Sequence, residues 1–206
     1  MNRLQSPQTF MRRALVFGVP LCILLLASGL AAQESVLTLD PAQTKIEFTL
    51  PATGHTVHGT FKLKSGEIRF DTASGKASGA IVVDATSGES GSDGRDKKMH
   101  QEIIESTKFS EIVFTPEHVQ GSVAPQGTSQ VQVSGEFRIC GQDHAMTLAL
   151  AVEPAAGKQL KVATQFSVPY VEWGLKNPST FILRVGKAVG VDIHAVGQFA
   201  TPKSDP

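Results

Sequence analysis

Between residues 131 and 152 apolar and polar side chains alternate almost without a break. Val131, Val133, Phe137 and Ile139 fall on one face and Gln132, Ser134, Glu136 and Arg138 on the other; after a Gly-Gln-Asp-His link the alternation resumes as far as Val152. A period of two belongs to an extended strand with one dry and one wet face, so the segment predicts a β-hairpin. The same signal predicts strands at 44–50, 56–63, 67–71, 77–84, 111–120, 130–140, 145–153, 159–168 and 188–199. The apolar positions are odd through Val57, Phe61 and Leu63 but even at Ile68 and Phe70, so the parity flips across Lys64-Ser65-Gly66. One extra residue in a β-bulge, or a tight turn, produces such a flip. A bulge makes the second and third segments one bent strand and brings the count to eight. The expected fold is therefore all-β, an antiparallel barrel of the smallest common size that holds one small ligand.

One stretch breaks the pattern. From Ser92 to Ser106 the spacing predicts a short helix capped by Asp93 or Asp96, with Met99, Ile103 and Ile104 on one side and Lys97, Lys98, Gln101, Glu102 and Glu105 on the other. A lone helix in such a fold covers an end of the barrel. The glycine-rich run from Ser87 to Arg95 before it reads as a mobile lead-in loop, because its glycines lack the spacing of a phosphate-binding loop. A second long connection, Glu172 to Lys187, has the length of a binding-site rim.

The N-terminus changes the accounting. Arg3, Arg12 and Arg13 precede an apolar run from Ala14 to Leu26 and a small-residue stretch ending at Ala31-Ala32, the layout of a cleaved secretory signal peptide. The run is short of the roughly 20 residues of a spanning helix. Residues 1–32 are thus expected to be a signal peptide, 33–200 one β-barrel domain and 201–206 a disordered tail, with the mature protein periplasmic or secreted. Losing three arginines from a balance of 19 basic and 19 acidic residues leaves it mildly acidic, with no overall electrostatic footprint for nucleic acid or for an anionic membrane surface. Cys140 then has no intrachain disulfide partner.

Catalytic patterns are weak. The pair His55 and His58 is three apart, which in a strand directs the side chains to opposite faces, and His100, His118, His144 and His194 form no metal-binding motif. There is no Gly-x-Ser-x-Gly elbow, and Asp84, Glu111, Glu136 and Asp192 fall at wet strand positions. No metal, cofactor or catalytic group is expected. What remains is apolar: inward phenylalanines and valines, with Gly59, Gly135 and Gly197 as gaps, would line a tapered cavity suited to a long apolar ligand. The side chains expected on its tail are Phe48, Phe61, Phe114, Phe137, Met146, Phe166 and Val191, with Tyr170, Trp173, Asn177 and His55 at the rim.

The order Leu39-Asp40-Pro41-Ala42, Lys45-Ile46 and Phe48, then Thr56-Val57-His58-Gly59-Thr60-Phe61, then Gly66, Ile68 and Phe70-Asp71, resembles the YceI-like family of exported polyisoprenoid-binding proteins. The likeness continues through Arg95-Asp96-Lys97-Lys98-Met99-His100 with Phe109 to Phe114, Gly135 to Leu148, Trp173-Gly174-Leu175 and Val189 to Ile193. The resemblance implies a lipocalin-like eight-stranded barrel, a helix at one end, and a tunnel for an isoprenoid chain such as a polyprenyl or quinone tail. It also implies a binding or carrier protein rather than an enzyme. Two positions depart from the family pattern: Tyr170 stands where many members carry Arg, and Ala52 stands near the place of a family histidine, with His55 displaced. A packed barrel acting as a protein-interaction module, or an enzyme acting on lipids, are the alternatives, and a homodimer is left open.

Overall fold

The computed structural model describes residues 34–200; the expected signal peptide and the tail from residue 201 lie outside the described residues. Nine strands form one antiparallel sheet: β1 (Glu34–Leu39), β2 (Lys45–Ala52), β3 (His55–Asp71), β4 (Ala77–Glu89), β5 (Glu111–Gln120), β6 (Ser129–Ile139), β7 (Gln142–Ala155), β8 (Gln159–Val168) and β9 (Val189–Ala200). The first two share one slot. β1 pairs with the far ends of β3 (Ser35↔Phe70) and β9 (Leu37↔Phe199), while β2 pairs with their near ends (Phe48↔Gly59 and Phe48↔Val191). Between them runs the 3-10 turn Pro41–Gln43, where the Ala42 N–H donates to Asp40 Oδ1 at 2.8 Å and proline presets the backbone. Since β3 also pairs with β4, the sheet closes into a barrel of eight staves, as the alternation predicted. β1 was not foreseen.

The parity flip has the bulge as its cause. Leu63 pairs with Val83 and Ser65 with Val82, which leaves Lys64 as the extra residue and turns both Leu63 and Ile68 into the interior. A larger irregularity lies further along: Thr60 pairs with Glu89 and Lys62 with Asp84, so Ala85 to Gly88 bow out of register. The Lys62 N–H is then satisfied by Ser87 Oγ at 2.8 Å.

The hairpin that the sequence signalled is present, but its link is tighter. The turn is Cys140-Gly141 alone, with φ of 50° and 75°, so both residues are left-handed as in the type I′ hairpin turn. Gln142, Asp143 and His144 belong to β7, and Arg138 clasps Asp143 across the turn at 2.6 Å.

The helix α1 (Asp93–Lys98) runs on into a π-helical turn, Met99–Ile103. Its N-cap is Ser92, which makes no side-chain cap, rather than either aspartate. Asp96 instead reaches back to accept the Ser90 hydroxyl and, at 3.0 Å, the Ser90 N–H. The lead-in is correspondingly short, because Ser87, Gly88 and Glu89 complete β4. His100 fastens the turn to that strand: a carbonyl only accepts, so Nε2–H donates to Gly88 O at 2.8 Å and Nδ1 is left to accept from Ser106 Oγ at 2.9 Å.

The three glycines expected as interior gaps are points of close approach. A Cβ on Gly59 would stand 2.3 Å from the Phe48 ring, on Gly197 2.7 Å from Leu37 Cδ1, and on Gly135 2.1 Å from the Thr115 carbonyl oxygen. At Gly135 the obstacle is backbone, which has no rotamer to yield. Gly135→Ala is therefore expected to lower stability by about 1–3 kcal/mol, read as a reduced urea midpoint at unchanged slope. A midpoint equal to that of the parent protein would show that β5 and β6 separate freely here.

Candidate functional site

Closure does not fill the barrel evenly. Around one end, Phe114, Val131, Val133, Leu148 and Val152 form a buried cluster, with Met146 packed against it. The other end, under α1, the π-helical turn and the connection 169–188, encloses a cavity of about 480 Å³. Its walls come from Phe48 on β2, Phe61 on β3, Phe137 on β6, Phe166 on β8 and Val191 on β9. Phe48 and Phe61 meet at 5.4 Å between ring centroids with a 44° tilt, and Phe137 and Phe166 at 6.3 Å with a 71° tilt, within the range that aromatic pairs prefer. The cover is Met99, Ile103 and Ile104, the apolar face of the helical segment.

Among the described residues six lining side chains are polar: His55, Ser90, Arg95, Lys98, Tyr170 and Thr180. Several are already engaged. The Tyr170 hydroxyl donates to Gly186 O at 2.7 Å, and burial pushes its pKa up, so the phenol stays a neutral donor at physiological pH. Arg95 donates to Ser90 Oγ and Ser90 O, both at 2.7 Å. Lys98 has no hydrogen-bond partner among the described residues. His55 opens β3 in an exposed position at the mouth. Among the described residues no carboxylate lines the cavity. His194 Nε2 lies 3.1 Å from Asp192 Oδ1, largely exposed and outside the lining.

Of the side chains singled out in the sequence, the structure brings Phe48, Phe61, Phe137, Phe166, Val191, His55 and Tyr170 to this one cavity. Phe114 and Met146 lie in the packed half instead. Asn177 braces the connection, accepting the Ser179 N–H at 2.9 Å. Trp173 stands behind the wall. β7 pairs with β8 only from Leu150 to Ala155; beyond that Ala149 O accepts the Thr164 hydroxyl at 2.8 Å, and Gln142 to Leu148 have no ladder partner on that side among the described residues. Trp173 packs at this seam, stacked on His144 at 4.1 Å and 5°, and 5.6 Å from the Phe137 ring. The sequence reading missed Arg95, Lys98, Leu183 and Val185 as lining residues. The apolar run 181–183 within a polar connection was the available signal for Leu183.

Cys140, at the end of the strand expected over 130–140, is a free thiol on the hairpin turn, with Sγ 3.4 Å from the Ile104 carbonyl. It fastens the turn to the end of the cover. Burial, reinforced by Glu105, raises its pKa, which disfavours the thiolate.

Two expectations follow. Trp173 is the chain's sole tryptophan, so its fluorescence reports the seam; His144→Ala should shift its emission to longer wavelength and cost about 0.5–1.5 kcal/mol. An unchanged spectrum would remove His144 from the support of the seam. The second concerns Asp96: burial works to raise its pKa, but the Ser90 bonds and the Arg95 charge outweigh it, so the net shift is below 3.8. A carboxylate with a depressed folded pKa stabilises above its unfolded value and loses that contribution as pH falls through the folded one. Hydrogen exchange across 93–104, corrected for intrinsic rates, should therefore accelerate below about pH 3.8, and Asp96→Asn should flatten that dependence.

A YceI-like domain model matches residues 37–197. Among solved structures, BcnA of Burkholderia cenocepacia is similar at 17% identity and a TM-score of 0.61, covering 77% of this chain and 98% of that one. A polyisoprenoid binding domain from Saccharophagus degradans, implicated in plant cell wall breakdown, is similar at 17% identity and a TM-score of 0.60, covering 81% of this chain and 98% of that one. No match is found among curated proteins. At that identity the solved structures attest the barrel alone, whereas the domain model spans nearly every stave of it, and so this chain belongs to the YceI-like family.

Proposed function

We propose that the protein is an exported carrier that binds one long-chain amphiphile, a polyisoprenoid or isoprenoid quinone-like lipid, with the tail in the cavity and the head at the mouth. The observation that carries this reading is the division of the barrel into a packed half and a hollow, apolar half. A volume of about 480 Å³ lies within the range of about 300–1,000 Å³ typical of small-molecule sites. Its polar groups are confined to the cover, the mouth and one internally bonded tyrosine, so specificity for the tail rests on shape and apolar area. Each methylene transferred from water to such a wall contributes about 0.8 kcal/mol.

The family membership and the polyisoprenoid-binding relative support the same ligand class. Export rests on the pattern of residues 1–32. The hollow half disfavours a solid barrel that acts only as a protein-interaction module. An enzyme acting on lipid would pair a base such as His55 with an orienting carboxylate, and among the described residues His55 is exposed at the mouth with no carboxylate in the lining beside it.

The test is solvent extraction of protein recovered from the cells that make it, followed by mass spectrometry. Near one equivalent of lipid with an isoprenoid fragmentation pattern is expected; repeated recovery of lipid-free protein would sink the reading. Val191→Phe should reduce the recovered lipid severalfold with little change in stability, because the larger ring enters the cavity beside Phe48 and Phe166, its register partners.

A further inference from the structure

The mouth carries an apolar tip that the barrel core does not use. Phe181 is 93% exposed and Ile182 86%. Leu183, the next residue, is 39% exposed and also lines the cavity, so apolar surface runs from the tip into the hollow. The tip is held out by a tight turn: the Thr180 N–H donates to Leu183 O at 2.8 Å, and the Leu183 N–H donates to Thr180 Oγ1 at 3.0 Å. Its base is fixed to the β2–β3 hairpin, where Thr53 N–H donates to Arg184 O and Arg184 N–H to Thr53 Oγ1, each at 2.9 Å. Phe181 and Ile182 are therefore exposed by a hydrogen-bonded backbone. Arg184 and Lys187 beside them are exposed, and Lys98 reaches the cavity from the cover.

We propose that the Thr180–Arg184 turn docks the cavity mouth on an anionic lipid bilayer. Phe181 and Ile182 enter the boundary between headgroups and acyl chains, Arg184 and Lys187 meet the headgroup charge, and a lipid tail passes between bilayer and cavity without crossing water. Two projecting apolar side chains flanked by cations suit an interfacial anchor. They fall far short of the roughly 800 Å² per partner that a stable protein interface buries. The docking stands on the exposed turn, while the tail transfer rests on the lipid-binding reading above.

The test uses the full chain as recovered from cells, with sedimentable vesicles of phosphatidylcholine mixed with phosphatidylglycerol. Hydrogen exchange over 180–184 is expected to slow when vesicles are added, and less so with phosphatidylcholine alone. The double substitution Phe181→Ser with Ile182→Ser should abolish that protection and weaken vesicle partition about tenfold. The same variant should still take up a soluble apolar fluorescent probe, which separates lost docking from a lost cavity. Unprotected residues 180–184 on vesicles, or equal protection in parent and variant, would overturn the proposal. So would protection of the turn only by an added cell extract freed of membranes, because that assigns the tip to a protein partner.

Discussion

Hydrogen bonds between β3 and β4 join the ends of the sheet, and the register in which they form governs the interior. A strand edge left open would expose a ladder of unpaired donors and acceptors. Closing it demands that β3 serve two partners in succession while keeping its apolar side chains inward. Lys64 makes that compatible: as the extra residue of the bulge it lets Leu63 and Ile68 both face the core, although their separation in sequence gives opposite faces in a regular strand. At the opposite side of β3, the slot shared by β1 and β2 meets the same demand by breaking at Pro41. The barrel thus closes through two local irregularities.

The hollow half is too large to be packing slack. By the scale set by cavity-creating substitutions, about 24 cal/mol per Å³, a dry void of 480 Å³ would cost on the order of 12 kcal/mol. That is comparable to the whole stability of a typical domain. The cavity is open at its mouth, which admits either water or a ligand. Water finds few free partners on a wall of phenylalanine, valine, leucine and isoleucine, whereas an alkyl or isoprenoid tail gains free energy from each carbon buried there. The closed sheet around it supplies the walls.

Alternation told the inside of the barrel from the outside, and did so well: Val131, Val133, Ile139 and Leu148 are buried as the pattern requires. What a period of two does not encode is height along the barrel axis. Phe114 and Phe166 both face inward, yet Phe114 is buried in the packed half, while Phe166 packs at its border and lines the cavity. The same limit hid Met146. β1 was missed because its short run adjoins the expected cleavage site and is cut off from β2 at Asp40-Pro41. The Cys140-Gly141 turn carries only half of the usual two-residue signature, so the link read as longer than it is. The contact of Trp173 with His144 joins residues on separate elements and follows from the unpaired stretch of β7, which no local pattern predicts.

The connection 169–188 combines rigidity and exposure in one segment. At its start, Tyr170 and Leu175 are buried against Ile139 and Val168, and Trp173 fills the seam between β7 and β8. Further on, the Tyr170 hydroxyl holds Gly186, so the two ends of the segment are joined across the mouth. A loop tied at both ends has little conformational freedom left to lose when its tip meets another surface. Tyr170 makes that tie with a neutral hydroxyl, so the end of β8 places no fixed charge on the cavity wall. The cations of the lining, Arg95 and Lys98, lie on the cover, so the fixed positive charge that faces the cavity comes from the helical segment rather than from the strand ends.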